Sequence, residues 1–399
     1  MPASDHPQEA APRPVPLRLG LPDPTTLLTP QLRAAMRAMI SSPLAATALQ
    51  YGAEQGPPDL ISLLVEKINR EQRLTIQPGN LMVVAGATHA IDLLARLYAK
   101  PDGVVLVEAP TFADALHIFR DHQLELCSVS MDEDGLIPSE LERQIAKLQA
   151  SSKSPAFLYT IPTFHNPTGR TTPEARRLEI LRLAQRYGFL IVEDDVYRDL
   201  SFDGAVPPSY YALARGKQVC SIGSFSKTLA PGLRLGWLLS AEEIIQRCIN
   251  CGTTQMGGGA NPFAASIVAE YCRSGAWEAH IERLQTVYKE RRNLALSALV
   301  KYMPAGVSWT HPTGGFFLWL SLPQNIFAQD VKHLALQQGV EVAAGEGYFV
   351  HLAQGAHHLR LAYSCAEPGE IDTGIRLLAQ VIEQLRMLNG STTAARSQT

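Results

Sequence analysis

One lysine stands out by the company it keeps. In VCSIGSFSKTLAPGLRLGW, residues 219–237, Lys227 lies just beyond the apolar run VCSIG, with Ser224 and Ser226 before it and Arg234 seven residues after it. A lysine withdrawn from water or set near other cations gives up its proton more readily and becomes a nucleophile. Two hydroxyls and a guanidinium are the donors that a phosphate needs. Alone, a lysine past a strand end reads as a surface residue; the cluster does not. In LIVEDDVYRDL (190–200), Glu193, Asp194 and Asp195 close an apolar run ahead of Tyr197. Side chains alternate along a strand, so only some of these carboxylates can face a crevice, and a solvated strand end is the other reading.

Three further segments carry polar groups just after or within apolar runs. VVAGATHAIDLL (83–94) ends a strand at Gly86 and opens a helix at Ala87 or Thr88, presenting free amides and a positive dipole end to an anion. The same residues also suit a tight turn with Thr88 as a plain cap. YTIPTFHNPTGR (159–170) puts Asn166 in a proline-flanked turn, which by itself is an ordinary turn former. Arg360 interrupts the apolar strand in HHLRLAYS (357–364), and a buried arginine requires an anionic partner, either a ligand or an internal Asp or Glu.

These groups need elements that bring them to one edge. LMVVAG precedes a helix over 88–100, VVLVEAP one over 112–122, and LELCSVS one over 138–150. AFLYTIP leads to a helix over 173–187, with Thr172 as N-cap and Pro173 in the first helical position, and FLIVEDD follows. The strand and helix rhythm predicts an α/β fold whose mostly parallel sheet is covered on both faces. Ligands in such sheets bind beyond the carboxyl ends of the strands, where most of these polar residues fall. After about residue 275 the pattern changes to a long helix over 276–303, VSWT, the strand GGFFLWLSL, a helix over 326–338, LRLAY, and a last helix from about 368, a smaller α+β unit. LLTPQLRAAMRAMI near the start reads as a helix capped by Thr29. The expected division is a disordered 1–16, a segment 17–44 joining the small domain, a large domain 45–285, a small domain 286–387 and a disordered tail 388–399.

Composition bounds the function. At ~150 residues per domain, 399 residues suggest two to three folding units. With 46% hydrophobic residues, low-complexity and disordered classes are excluded. Charged residues are 18%, below the roughly 25% of typical domains, which hints at surface covered by a second subunit. A net charge of −3 with no basic cluster argues against nucleic acid or an anionic membrane as partner. The longest apolar runs are broken by carboxylates, so no membrane segment is expected. The N-terminus lacks a signal-peptide pattern, so a cytoplasmic location is expected. Six cysteines are too sparse for a disulfide framework, and Cys248 and Cys251, a C-x-x-C without a second pair, make no metal site.

Together, S-F-S-K-T-x-A-P-G-L-R-L-G-W, the upstream D-D-x-Y and N-P-T-G resemble the pyridoxal-phosphate aminotransferases of fold type I, over about 17–387. GLPDP, LQYGAEQGPPDL and PTGGFFLWL are similar to the class I/II branch containing kynurenine/2-aminoadipate aminotransferases. The aminotransferase-like domain of MocR-type regulators shares this pattern. The resemblance implies a large domain with a mostly parallel seven-stranded sheet, pyridoxal 5′-phosphate as cofactor, ping-pong transfer between an amino acid and a 2-oxo acid, and a homodimer with shared active sites.

Carried over residue by residue, it implies that Lys227 bonds the cofactor aldehyde and then moves the substrate proton. Asp194 would pair with the pyridine nitrogen, Tyr197 and Asn166 with the ring oxygen, and Phe112 would stack on the ring face. The phosphate would meet the backbone of Ala87 and Thr88, Ser224, Ser226 and Arg234, with Tyr51 arriving from the neighbouring subunit. Arg360 would clamp the substrate carboxylate, near Gly20 and Asn166. Relatives often carry Ser-Gln after the glycine where this chain has Ala87, Thr88 and His89, so backbone donors would serve instead. Another reaction on the same cofactor (decarboxylation, elimination, racemisation or oxidation) is the alternative. A ligand-sensing regulator is less favoured, since a DNA-reading module of ~60–70 basic-rich residues is not evident.

Overall fold

The computed structural model describes residues 13–100 and 103–396. The large sheet has eight strands: β1 (Leu81–Val84), β2 (Val104–Ala109), β3 (Glu125–Asp132), β4 (Gly135–Leu136), β5 (Pro155–Thr160), β6 (Leu190–Asp194), β7 (Val219–Ser224) and β8 (Gly236–Leu239). Their order is β1-β8-β7-β6-β5-β2-β3-β4. From β7 to β3 every pairing is parallel. β8 runs against both β1 and β7, so β1 keeps the common direction. Seven strands have four or more residues; the eighth, β4, has two and folds back on β3 where Gly135 takes φ +92°.

Alternation divides the strand residues between two apolar layers. Met82, Val84, Val105, Val107, Val192 and Ile222 pack under the helices Ala87–Tyr98, Ala113–Asp121 and Glu242–Ile249. Leu81, Val83, Leu106, Leu158, Ile191 and Val219 face Pro58–Gln72, Pro138–Ala150, Glu174–Tyr187 and Pro262–Arg273. Burial on both sides is why these strands read as continuous apolar runs.

The smaller unit is a four-stranded antiparallel sheet of β9 (Ser308–Trp309), β10 (Phe317–Ser321), β11 (Ala343–Ala344) and β12 (His358–Ala362), in the order β9-β10-β12-β11. The expected boundary at 285/286 falls inside the unbroken helix Ala276–Tyr302. Trp277 and Ile281 of that helix join the large core, and Leu284 onward joins the small one. Among the described residues no helix is long and apolar enough to cross a membrane.

Several local expectations need correction. Residues 1–12 lie outside the described residues, but Val15–Pro16, placed in the disordered N-terminus, pairs in parallel with Val340–Glu341. The tail expected to be disordered from 388 is instead helical, continuing the Pro368 helix to Arg396; residues 397–399 lie outside the described residues. Asn389 donates to the Asn325 carbonyl at 2.6 Å, which ties this helix to the small unit past the expected boundary. Thr172 does not cap its helix. Pro173 is extended at the cap position (φ −63°, ψ 154°) and the helix begins at Glu174, while the Thr172 carbonyl accepts from Arg177 Nε at 2.9 Å. Thr29 does cap as expected, with Oγ1 accepting from the Leu32 amide at 3.1 Å.

Gly223, one residue before the end of β7, lies opposite Trp237 of β8. A Cβ there would fall 2.0 Å from the indole, which is itself wedged against Phe225 and Trp277 at 5.2 and 6.1 Å. Gly223→Ala is therefore expected to cost about 1–3 kcal/mol or more through overpacking, seen as a lower midpoint in urea unfolding.

Candidate active site

Because β1, β2, β5, β6 and β7 share a direction, the segments after Val84, Ala109, Thr160, Asp194 and Ser224 emerge along one edge of the sheet. A cavity of about 370 Å³ opens there, closed over by the N-terminal segment at Leu19–Leu21 and by Phe317, Tyr348 and Arg360 of the small unit. Every site residue expected from the sequence borders it except Tyr51, which is 84% exposed elsewhere on the chain.

The three consecutive carboxylates at the end of β6, Glu193, Asp194 and the following Asp195, have three different surroundings. Glu193 accepts the amides of Tyr210 and Tyr211 at 2.7 and 3.2 Å on the far face, where burial pushes its carboxyl up to about 7. Asp195 pairs with Arg198 at 3.0 Å. Asp194 alone faces the cavity: Oδ2 accepts from Tyr159 OH at 2.7 Å, while Oδ1 is buried and has no partner. Burial raises its pKa to about 6, against the lowering effect of the Tyr159 hydrogen bond.

Lys227 Nζ donates to the Gly20 carbonyl at 3.1 Å and lies 5.8 Å from the Tyr197 ring centre. Withdrawal from water, then the nearby Arg360 charge, draw its pKa down to about 8, with Asp194 opposing. In the same cavity is a turn whose geometry suits an anion. Gly86 at φ +87° starts the helix Ala87–Tyr98 with no side chain capping it, so the first amides are open to a ligand. A Cβ on Gly86 would sit 2.7 Å from Arg234 Nη2. Ser224 Oγ accepts from the Ser226 amide at 3.0 Å.

Arg360, on β12, donates from Nη1 to Asn166 Oδ1 at 2.8 Å and from Nη2 to the Arg18 carbonyl at 2.7 Å. Its guanidinium lies 4.3 Å from the Phe317 ring centre and 4.9 Å from that of Tyr348. It is 6% exposed and its Nε has no partner. Among the described residues no carboxylate forms an ion pair with it, so the internal-partner reading fails and a buried cation faces a cavity.

These groups fit a phosphorylated pyridine aldehyde. An unpaired buried carboxylate oxygen suits a protonated ring nitrogen, the glycine turn with Arg234 suits a phosphate, and an amine borders the same cavity.

Sequence reasoning missed Leu19, Leu21, Asp114, Phe317 and Tyr348 in the lining, and Tyr159 behind Asp194. It also missed the support of Asn166. Glu108 accepts from Thr160 Oγ1 at 2.6 Å, the Ile161 amide at 2.9 Å and His165 Nε2 at 3.1 Å, all of them buried. The signal was present in the lone carboxylate within VVLVEAP and the histidine beside Asn166, though nothing linear joins them.

The sequence matches the family described as aminotransferase class I and II over residues 17–378. The aromatic-amino-acid aminotransferase 1 of Thermococcus litoralis is 33% identical over 92% of this chain and 87% of its own. The HTH-type transcriptional regulator YisV of Bacillus subtilis is 31% identical over 85% of this chain and 68% of its own. The structure of the Pyrococcus horikoshii kynurenine aminotransferase in complex with PMP superposes with a TM-score of 0.89 at 32% identity, covering 94% of this chain and 92% of that one.

The separation of the carboxylates gives an expected outcome. Asp194→Asn should lower turnover of an amino acid by about 100-fold or more, the scale of losing a preorganised charge. Asp195→Asn should chiefly lower the melting temperature. Steady-state kinetics and thermal melts on both variants check this; equal kinetic losses would refute it.

Proposed function

The chain belongs to the class I and II aminotransferase family, and on that premise we propose how its cavity divides the work of amino transfer. The protein is a pyridoxal-phosphate-dependent aminotransferase acting between an amino acid and a 2-oxo acid. One observation carries the division: the unpaired buried oxygen of Asp194 and the lowered-pKa amine of Lys227 border the same cavity.

When bound, pyridoxal phosphate supplies an aldehyde that takes up the amino group and a cationic ring that draws electrons from the carbon bearing it. We assign the phosphate to the amides of Ala87 and Thr88, the hydroxyls of Ser224 and Ser226, and Arg234. Asp194 Oδ1 would hold the proton on the ring nitrogen, with Tyr159 fixing that carboxylate by occupying Oδ2. Phe112 would cover a ring face, and Tyr197 and Asn166 would donate to the ring oxygen. Asn166 Oδ1 already accepts from Arg360, which leaves its amide nitrogen to donate. Lys227 Nζ, drawn down to a pKa of about 8, loses its proton far more readily than an ordinary lysine; it would take the proton from the substrate α-carbon and return it to the carbon on the other side of the transferred nitrogen, two bonds away. Arg360 binds the α-carboxylate of each substrate in turn, as a ping-pong cycle requires.

Apart from Asp114, the remaining lining is chiefly apolar or aromatic and includes Leu19, Leu21, Phe317 and Tyr348. The cavity's cations, Lys227, Arg234 and Arg360, all have tasks, and Asp114 adds a negative charge. We therefore favour an uncharged, bulky side chain on the amino donor, in keeping with the names of the Thermococcus and Pyrococcus relatives. Arg360→Ala should raise KM for amino acids and 2-oxo acids together, by about 30-fold or more, since truncating such a contact costs about 2–5 kcal/mol. Reaction with simple amines should be spared. An unchanged KM would sink the assignment.

We further propose a homodimer with shared sites. Leu49 and Tyr51 are 75% and 84% exposed, and Met256 is 85% exposed next to Gly257, whose Cβ would lie 3.1 Å from the Tyr51 ring. Ile40 and Leu44 continue this apolar exposure. Tyr51 then reaches the phosphate site of the partner subunit. Tyr51→Ala and Lys227→Ala proteins should each be weak or inactive. Refolded together, they should regain activity, because one mixed site keeps both the lysine and the tyrosine. Confirmed mixed dimers no more active than their parents would refute the sharing.

A further inference from the structure

The phosphate cradle assigned above depends on the shape of the turn from Val84 to Ala87, and the following inference rests on that assignment. We propose that His89 is a positioning residue for this turn, and that it holds the turn only while its imidazole is neutral. His89 lies in the first turn of the helix Ala87–Tyr98. Its Nδ1 accepts a hydrogen bond from the Ala85 amide at 3.1 Å, and its own amide donates to the Gly86 carbonyl at 3.1 Å. Side chain and main chain thus grip the chain on both sides of Gly86. That glycine has little room to adjust, with φ +87° and Arg234 Nη2 2.7 Å from its Cβ position.

An amide N–H can donate only to a bare nitrogen, so the ring proton must sit on Nε2. Nε2, which carries that proton, is buried with no partner, so the charged ring would gain no hydrogen bond at that end. Protonating Nδ1 would replace the acceptor by a donor facing another donor, and the turn would open. Burial holds the imidazole below its ordinary pKa, aided by Arg96 and opposed by Asp92, both on the same helix. From the neighbouring elements, His122 holds Asp92 at 2.8 Å and Arg234 faces the turn at Gly86. The sign follows: the grip is intact above the ordinary imidazole pKa of about 6.5 and is lost as pH falls through the lowered folded value.

The test is binding of pyridoxal phosphate to the apo-protein, followed by quenching of tryptophan fluorescence, near pH 8 and near pH 5.5. An asparagine oxygen can accept near the position of Nδ1 and does not titrate. Near pH 8, His89→Asn should bind within about threefold of the parent, and His89→Leu about three- to tenfold more weakly, the scale of one neutral hydrogen bond. On acidification the parent should lose about three- to tenfold more affinity than His89→Asn, since the phosphate's own titration is common to both. Parent-like binding by His89→Leu near pH 8, or identical pH dependence of the parent and His89→Asn, overturns the proposal. Arg234→Gln separates the two assignments. If it binds as tightly as the parent, the cradle itself is misplaced; if it binds weakly while His89→Leu does not, only the role of His89 fails.

Discussion

Taking a carboxylate out of water costs several kcal/mol unless its oxygens find donors, and Asp194 is buried with only one oxygen satisfied, by Tyr159 at 2.7 Å. The other oxygen has no hydrogen-bond partner among the described residues. A protonated ring nitrogen would supply one, which is the role proposed for this carboxylate. Lys227, in the same cavity, is drawn toward its neutral form by the same withdrawal from water. One desolvated space therefore raises the pKa of a carboxyl and lowers that of an amine, both toward the neutral form; the neutral amine is the form that can accept a proton, whereas the carboxylate stays ionised only with a cation beside its free oxygen.

The cavity exists because two units and a strap meet over the strand ends. The N-terminal segment crosses from the small unit: the Ala362 amide donates to the Leu17 carbonyl at 2.8 Å, the Arg18 carbonyl accepts from Arg360, and the Gly20 carbonyl accepts from Lys227. Gly20 is the residue that fits, since a Cβ there would meet the Phe317 ring at 2.4 Å. On the opposite wall, the turn carrying Asn166 is held from behind at both ends. Glu108 and His165 secure one end, and the buried Arg177 secures the other through the Pro162 and Thr172 carbonyls, each at 2.9 Å. Asn166 and Arg360, on separate units, are thereby brought to a 2.8 Å hydrogen bond.

Much of this was legible in the linear chain. The alternation of apolar runs and amphipathic stretches determined the α/β architecture, because strands buried on both faces must be apolar throughout. Polar groups that directly followed those runs were bound to gather at one edge, because parallel strands share a direction. That is why Lys227, Asn166, Ser224 and the Gly86 turn came together as the sequence implied.

Only the tertiary structure decided the rest, because those features depend on which atoms meet across long separations. Pleating alone left open whether Asp194 or its neighbours Glu193 and Asp195 faced the cavity; the packing of the Tyr210 helix and of Arg198 against the other face settled it. Whether Arg360 had an internal anion was likewise open until Asn166 and the Arg18 carbonyl proved to be its partners. The disordered ends inferred from composition gave way to a β-pair at Val15–Pro16 and a helix to Arg396, since partners at Val340–Glu341 and Asn325 lie hundreds or tens of residues away. Spacing along a chain specifies which groups can reach one edge; it does not specify burial, and burial is what sets the proton affinities of Asp194 and Lys227.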